Sequence, residues 1–158
     1  EEIKNNKKKV KFEYPSLFVD KKKIKIDIEI LFDPSDGRPL LMMPVQKETK
    51  NELNYLKKTK EWMEFTHPTY DDMVFYRENS MSFDKETNQF LADPVKMRIY
   101  YLRFHLKNWS IKGSDGKKIE LKFDNNRLSE ETMNVIGKLS SSLIDIFLSE
   151  FEREAMLR

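Results

Sequence analysis

The chain of 158 residues has no cysteine, four glycines, six prolines and two histidines. Without thiols there is neither a disulfide framework nor a Cys-ligated zinc or iron–sulfur site. Four scattered glycines leave no G-x-G-x-x-G fingerprint and no P-loop, both of which need closely spaced glycines to bring backbone N–H groups onto phosphate. An acyl-transfer nucleophile would have to be Ser or Thr, and no G-x-S-x-G elbow occurs. His67 and His105 stand far outside the H-x-x-x-H and H-x-H spacings that put two imidazoles on one metal ion. No apolar run approaches the roughly 20 residues of a membrane-spanning helix. The opening Glu1-Glu2-Ile3-Lys4-Asn5-Asn6 lacks the apolar core of a signal peptide. Together these absences predict a cytoplasmic, non-catalytic protein with no metal, no cofactor and no membrane association.

What is present argues for a folded domain. Hydrophobic residues make up 39% and aromatics 12%, enough for a core despite a charged content of 35%. The net charge of +2 conceals an asymmetry. Residues 1–25 carry nine Lys against four acids, whereas residues 129–158 carry six acids against three bases. A lysine-rich front end is compatible with a nucleic-acid or acidic partner. No Arg precedes Arg38, however, and base recognition favours Arg for bidentate contacts and stacking, so a solvated strand face is the preferred reading.

Alternation at period two predicts three half-buried antiparallel strands. The first places Val10, Phe12 and Tyr14 opposite Lys9, Lys11 and Glu13. The second places Ile24, Ile26, Ile28, Ile30 and Phe32 opposite Lys25, Asp27 and Glu29. The third places Ile119, Leu121 and Phe123 opposite Lys118, Glu120 and Lys122. Asp33-Pro34-Ser35-Asp36-Gly37 is turn chemistry, and Leu40 to Val45 can form another short strand. Trp62-Met63-Glu64-Phe65 is a further candidate strand, and the rings of Phe12 and Trp62 are both expected in the core.

Helical periodicity takes over downstream. Thr69 with Asp72 three residues on predicts a capping box and a helix to about Asn79. The adjacent acids Asp71 and Asp72 suit the positive end of that helix better than a cation site. Asp93-Pro94 predicts the next helix start, with Val95, Ile99, Leu102, Leu106 and Trp109 as its apolar stripe, Tyr101 and Phe104 widening it, and His105 on its polar side. Gly113-Ser114-Asp115-Gly116 reads as a tight loop. Ser129 followed by Glu130 and Glu131 starts a third helix. The last runs from about Ser140 to Met156 with Leu143, Ile144, Phe147, Leu148, Phe151 and Ala155 on one stripe and Ile146 facing outward. The expected class is α+β, with N-terminal antiparallel strands, a strand-rich module at 1–50 and a mainly helical part at 51–158.

Aromatic side chains interleaved with lysine, as in Lys57-Lys58-Thr59-Lys60-Glu61-Trp62, could stack on single-stranded nucleic acid. The order of features from Trp62 to about Phe147 points elsewhere. Glu61-Trp62-Met63-Glu64-Phe65 leads through Thr66-His67-Pro68-Thr69-Tyr70 into a short helix. A variable loop follows, then an amphipathic helix ending in Leu106-Lys107-Asn108-Trp109, an Asp115-Gly116 turn with Ile119 beyond it, and Leu128-Ser129-Glu130-Glu131 opening a helix pair. This stretch of about 85 of the 158 residues resembles the tail assembly chaperones of long-tailed bacteriophages. The resemblance implies a protein that binds the tape measure protein and unpolymerised tail tube subunits in the host cytoplasm. Trp62, Phe65, Tyr70, Trp109 and Ile146 are the candidate protein-binding side chains, and the eight methionines offer adaptable apolar surface. A virion subunit of tail, neck or baseplate is the alternative, and a basic nucleic-acid-binding domain the second alternative.

Overall fold

The computed structural model of the chain describes residues 13–45 and 55–156. Four antiparallel strands, β1 (Lys23–Phe32), β2 (Pro39–Pro44), β3 (Lys57–Thr66) and β6 (Leu106–Trp109), form one sheet in the order β2-β1-β3-β6. The isoleucine alternation makes β1 what the pattern predicts: Ile24, Ile26, Ile28 and Ile30 are all buried on one face. Asp33 to Arg38 turns the chain into β2, and Gly37, at φ +72°, supplies a left-handed conformation that a side chain disfavours. β3 lies along the whole of β1 with Ile26 opposite Met63 and Asp27 opposite Trp62.

Helix α4 (Ser141–Ala155) closes the isoleucine face, burying Leu143, Phe147, Leu148 and Phe151. The rings of Phe65 and Phe151 meet at 4.5 Å between centroids. Helices α1 (Tyr70–Asn79) and α2 (Pro94–His105) flank the two-stranded hairpin β4 (Met81–Asp84) and β5 (Gln89–Ala92). After β6, a second small hairpin, β7 (Phe123–Asp124) and β8 (Arg127–Leu128), precedes α3 (Glu130–Ile136). The architecture is α+β, with the four-stranded antiparallel sheet built mainly by the N-terminal half and α3 and α4 at the C-terminal end. Strands β3 to β8 all fall beyond residue 50, and two of them complete the sheet begun by β1 and β2.

The caps follow the sequence. Thr69 Oγ1 accepts from the Asp72 N–H while the Asp72 carboxylate accepts from the Thr69 N–H, closing the predicted box. Asp93 caps α2 ahead of Pro94, and Ser129 caps α3. No helix among the described residues is long and apolar enough to cross a membrane.

Several expectations are corrected. Val10 and Phe12 lie outside the described residues, but Glu13 and Tyr14 belong to no strand and Tyr14 is exposed. Ile119 and Leu121 pack on the core without strand pairing; only Phe123 enters β7, because the chain here is held by a single bridge between Lys112 and Lys118. Glu29, expected in solvent, is buried, with Lys58 Nζ at 3.0 Å. The α2 stripe is also rotated: Tyr101 and Leu102 are buried as expected, but Met97 and His105 are buried with them, whereas Val95 and Ile99 are 68% and 49% exposed. The helix ends at His105 because Leu106 to Trp109 pair with β3, so periodicity counted through Trp109 mixes a helix with a strand. Neither small hairpin is signalled by periodicity, since strands of four residues (β4, β5) or two (β7, β8) carry too few alternations to register.

Candidate functional site

His105 reverses its expected place. It is 4% exposed, and it ties three elements together. Its Nε2 lies 2.7 Å from the Tyr76 hydroxyl of α1, and its Nδ1 lies 2.9 Å from the Thr66 hydroxyl at the end of β3. Asp72 stands 4.0 Å from Nε2. Desolvation pushes the imidazole down to about 4, against the smaller opposing pull of Asp72. The ring is therefore neutral near pH 7, with one nitrogen donating and the other accepting. Burial likewise pushes the Tyr76 phenol well above its ordinary range, with Asp72 adding to the effect.

These groups border an open cleft of about 260 Å³, where Thr66, His67, Asp72, Tyr76, His105 and Lys107 converge with the β7–β8 turn. That turn is an Asn125-Asn126 pair, both at positive φ, and the Asn126 carbonyl accepts from Lys107 Nζ at 2.6 Å. The two histidines, distant in sequence, thus share one cleft. His67 Nδ1 faces the Pro68 carbonyl at 2.7 Å. With both His105 nitrogens held by hydroxyls, the arrangement acts as a polar pin joining β3, α1 and α2. Among the described residues no group of three His, Asp or Glu is placed to hold a metal ion.

The five side chains named from the sequence are dispersed. Phe65 and Trp109 are fully buried in the core, and the Trp109 indole N–H donates to the Ile119 carbonyl at 2.7 Å. Neither ring presents surface to a partner. Trp62 is on the opposite face of β3 from Met63 and Phe65, half-buried, not in the core as expected. Lys25 and Lys118 stand 5.0 Å and 5.8 Å from its ring centroid. Tyr70, at the first turn of α1, is 83% exposed. Ile146 is half-buried against the core beside Leu40 and Met42 of β2, not projecting alone into solvent.

The apolar surface that sequence reasoning missed is the β4–β5 hairpin. Its register puts Phe83 opposite Phe90 and Met81 opposite Ala92, so these four share one face. The two phenyl rings meet edge to face at 5.3 Å, yet Phe83 remains 49% and Phe90 66% exposed. Val95 and Ile99 lie exposed on the helix into which the hairpin leads. Comparison with protein-family models, curated proteins and solved structures finds no match to this chain.

Proposed function

We propose that this domain works by binding other proteins in a macromolecular assembly, in the manner of the phage tail assembly chaperones it resembles between Trp62 and Phe147. The observation that carries this reading is the exposed apolar face of the β4–β5 hairpin. A two-stranded hairpin is marginal by itself, and paired phenyl rings left in water represent unrealised burial that a partner's apolar segment can supply. Charged residues around such a patch keep the free protein dispersed while the patch stays available. The partners on this reading are the tape measure protein and tail tube subunits.

The nucleic-acid alternative is disfavoured by Trp62. Its ring is flanked by two of its own lysines, and the surrounding sheet face carries Asp27 and Glu64 among them, so neither a free stacking platform nor a single-sign field exists there.

Affinity purification of the tagged chain from phage-infected cells tests the reading. Tape measure or tube protein should be enriched with the native chain and lost with the double variant Phe83→Ser, Phe90→Ser. Recovery of the chain in purified mature particles, without such enrichment, would favour the virion-subunit alternative.

A further inference from the structure

A second surface follows from the edge of the sheet. Among the described residues, β2 pairs with β1 alone. The Val45 N–H donates to the Asp27 carbonyl, and the antiparallel register continues through Met43 opposite Glu29 and Leu41 opposite Leu31. Alternate residues of an antiparallel strand direct their backbone groups to opposite sides. Met42 therefore turns its N–H and C=O away from β1, and Pro44 its carbonyl. Beside this open edge runs α4, and between them lies an apolar cavity of about 420 Å³ walled by Leu40, Leu41, Met42, Ser142 and Ile146. Farther along both β2 and α4, at Pro44 and Val45, lies a second cavity of about 520 Å³, where Glu150 and Glu154 of α4 form one wall. Opposite stand Lys60 and Lys25, the latter engaged by Asp27 at 3.9 Å and by the Trp62 ring, and Glu150 lies 3.8 Å from the exposed Arg153 of its own helix, so Glu154 is the carboxylate most open to an incoming cation.

We propose that this groove binds an extended segment of another protein, which adds as a strand parallel to β2, the direction in which α4 passes from Ile146 to Glu154, and carries an apolar side chain at position i and a Lys or Arg at i+2 or i+4. The spacing comes from α4. Ile146 to Glu150 is about 6 Å along a helix axis and Ile146 to Glu154 about 12 Å, at ~1.5 Å per residue. Side chains on one face of an extended strand recur every ~7 Å, so i+2 reaches Glu150 and i+4 reaches Glu154. Pro39 and Pro44 bracket β2 and have no N–H, which confines pairing to the few residues between them and keeps the edge from extending indefinitely. This mode combines main-chain hydrogen bonds for affinity with pockets for alternate side chains for specificity. It rests on the protein-binding reading but not on the hairpin surface.

The test uses the full chain and two synthetic nine-residue Thr/Val peptides, each with a central Leu, one with Lys two places on and the other with Glu there. Titration calorimetry should show the Lys peptide binding at least tenfold tighter than the Glu peptide. Glu154→Lys combined with Glu150→Lys should abolish or invert that preference. Ser142 is exposed, so Ser142→Arg should fill the apolar cavity and weaken binding at least tenfold with no change in melting temperature. Equal affinity for both peptides, or Lys-peptide binding indifferent to Ser142→Arg, overturns the proposal. So does a concentration-dependent dimer abolished by Ser142→Arg, which would make a second copy of the chain the occupant. If neither peptide binds while the hairpin-dependent partner is still captured, the groove proposal alone falls.

Discussion

A neutral imidazole held by two hydroxyls at 2.7 and 2.9 Å makes folding depend on pH in a predictable direction. In the unfolded chain the ring titrates near 6.5, and in the fold at about 4. Between those values the unfolded state carries the extra proton. The contribution is therefore full above pH 6.5 and is lost as pH falls toward 4, by about 3 kcal/mol. Asp72 opposes the loss, while Lys107 and His67 reinforce it. Urea denaturation across this window should show the slope, and His105→Gln, which retains hydrogen bonding without titrating, should flatten it; an unchanged slope would assign the dependence to other groups. Trp109 is a second test at this scale. Trp109→Ala removes the largest fully buried side chain and should destabilise the fold by about 3–5 kcal/mol. The more conservative Trp109→Phe should fall below that, reflecting chiefly the Ile119 carbonyl left without its indole donor. None of this was legible locally. His105 and its partners Thr66 and Tyr76 are 39 and 29 residues apart, and only the packing of α1 and α2 at the end of β3 brings them together.

At the scale of elements, local chemistry spoke clearly where a few adjacent residues decide the outcome. The capping box at Thr69 and Asp72 is such a case: its two hydrogen bonds are made within four residues, so sequence and structure agree. Thr69→Ala should destabilise the protein by about 1 kcal/mol in chemical denaturation. A loss below a few tenths would mean that tertiary packing holds α1 without its cap. The isoleucine strand was equally legible because five alternations outweigh any competing pattern. Where an element ends was less so. Val95 and Ile99 fit an apolar stripe that included Leu106 and Trp109, but those two residues belong to β6, and the real buried face of α2 runs through Met97, Tyr101 and His105. The switch is set by pairing of Trp109 with Met63, a partner 46 positions upstream. Glu29 shows the same dependence: alternation puts it in water, while Lys58 on the neighbouring strand and the packing around it accommodate the carboxylate in a buried place.

For the whole molecule, the decisive separation is between the apolar residues that make the core and those that remain on the surface. Phe65, Phe147 and Phe151 are buried, whereas Phe83 and Phe90 pair in water on a hairpin. The double variant Phe83→Ser, Phe90→Ser should therefore leave global stability within about 1 kcal/mol of the parent while removing partner capture, since a cross-strand aromatic pair contributes less than about 1 kcal/mol to the fold itself. A large loss of melting temperature would instead make the hairpin a structural element. The sequence by itself determined the α+β class, the β1 strand, the turn after it and every helix start, because each rests on interactions between near neighbours or on one long alternation. Only the tertiary structure decided which aromatic rings are covered, that two distant histidines share a cleft, and that β2 is left as an open edge beside α4. Those outcomes depend on which elements pack together, and composition and periodicity rank a phenylalanine on a hairpin the same as one in the core.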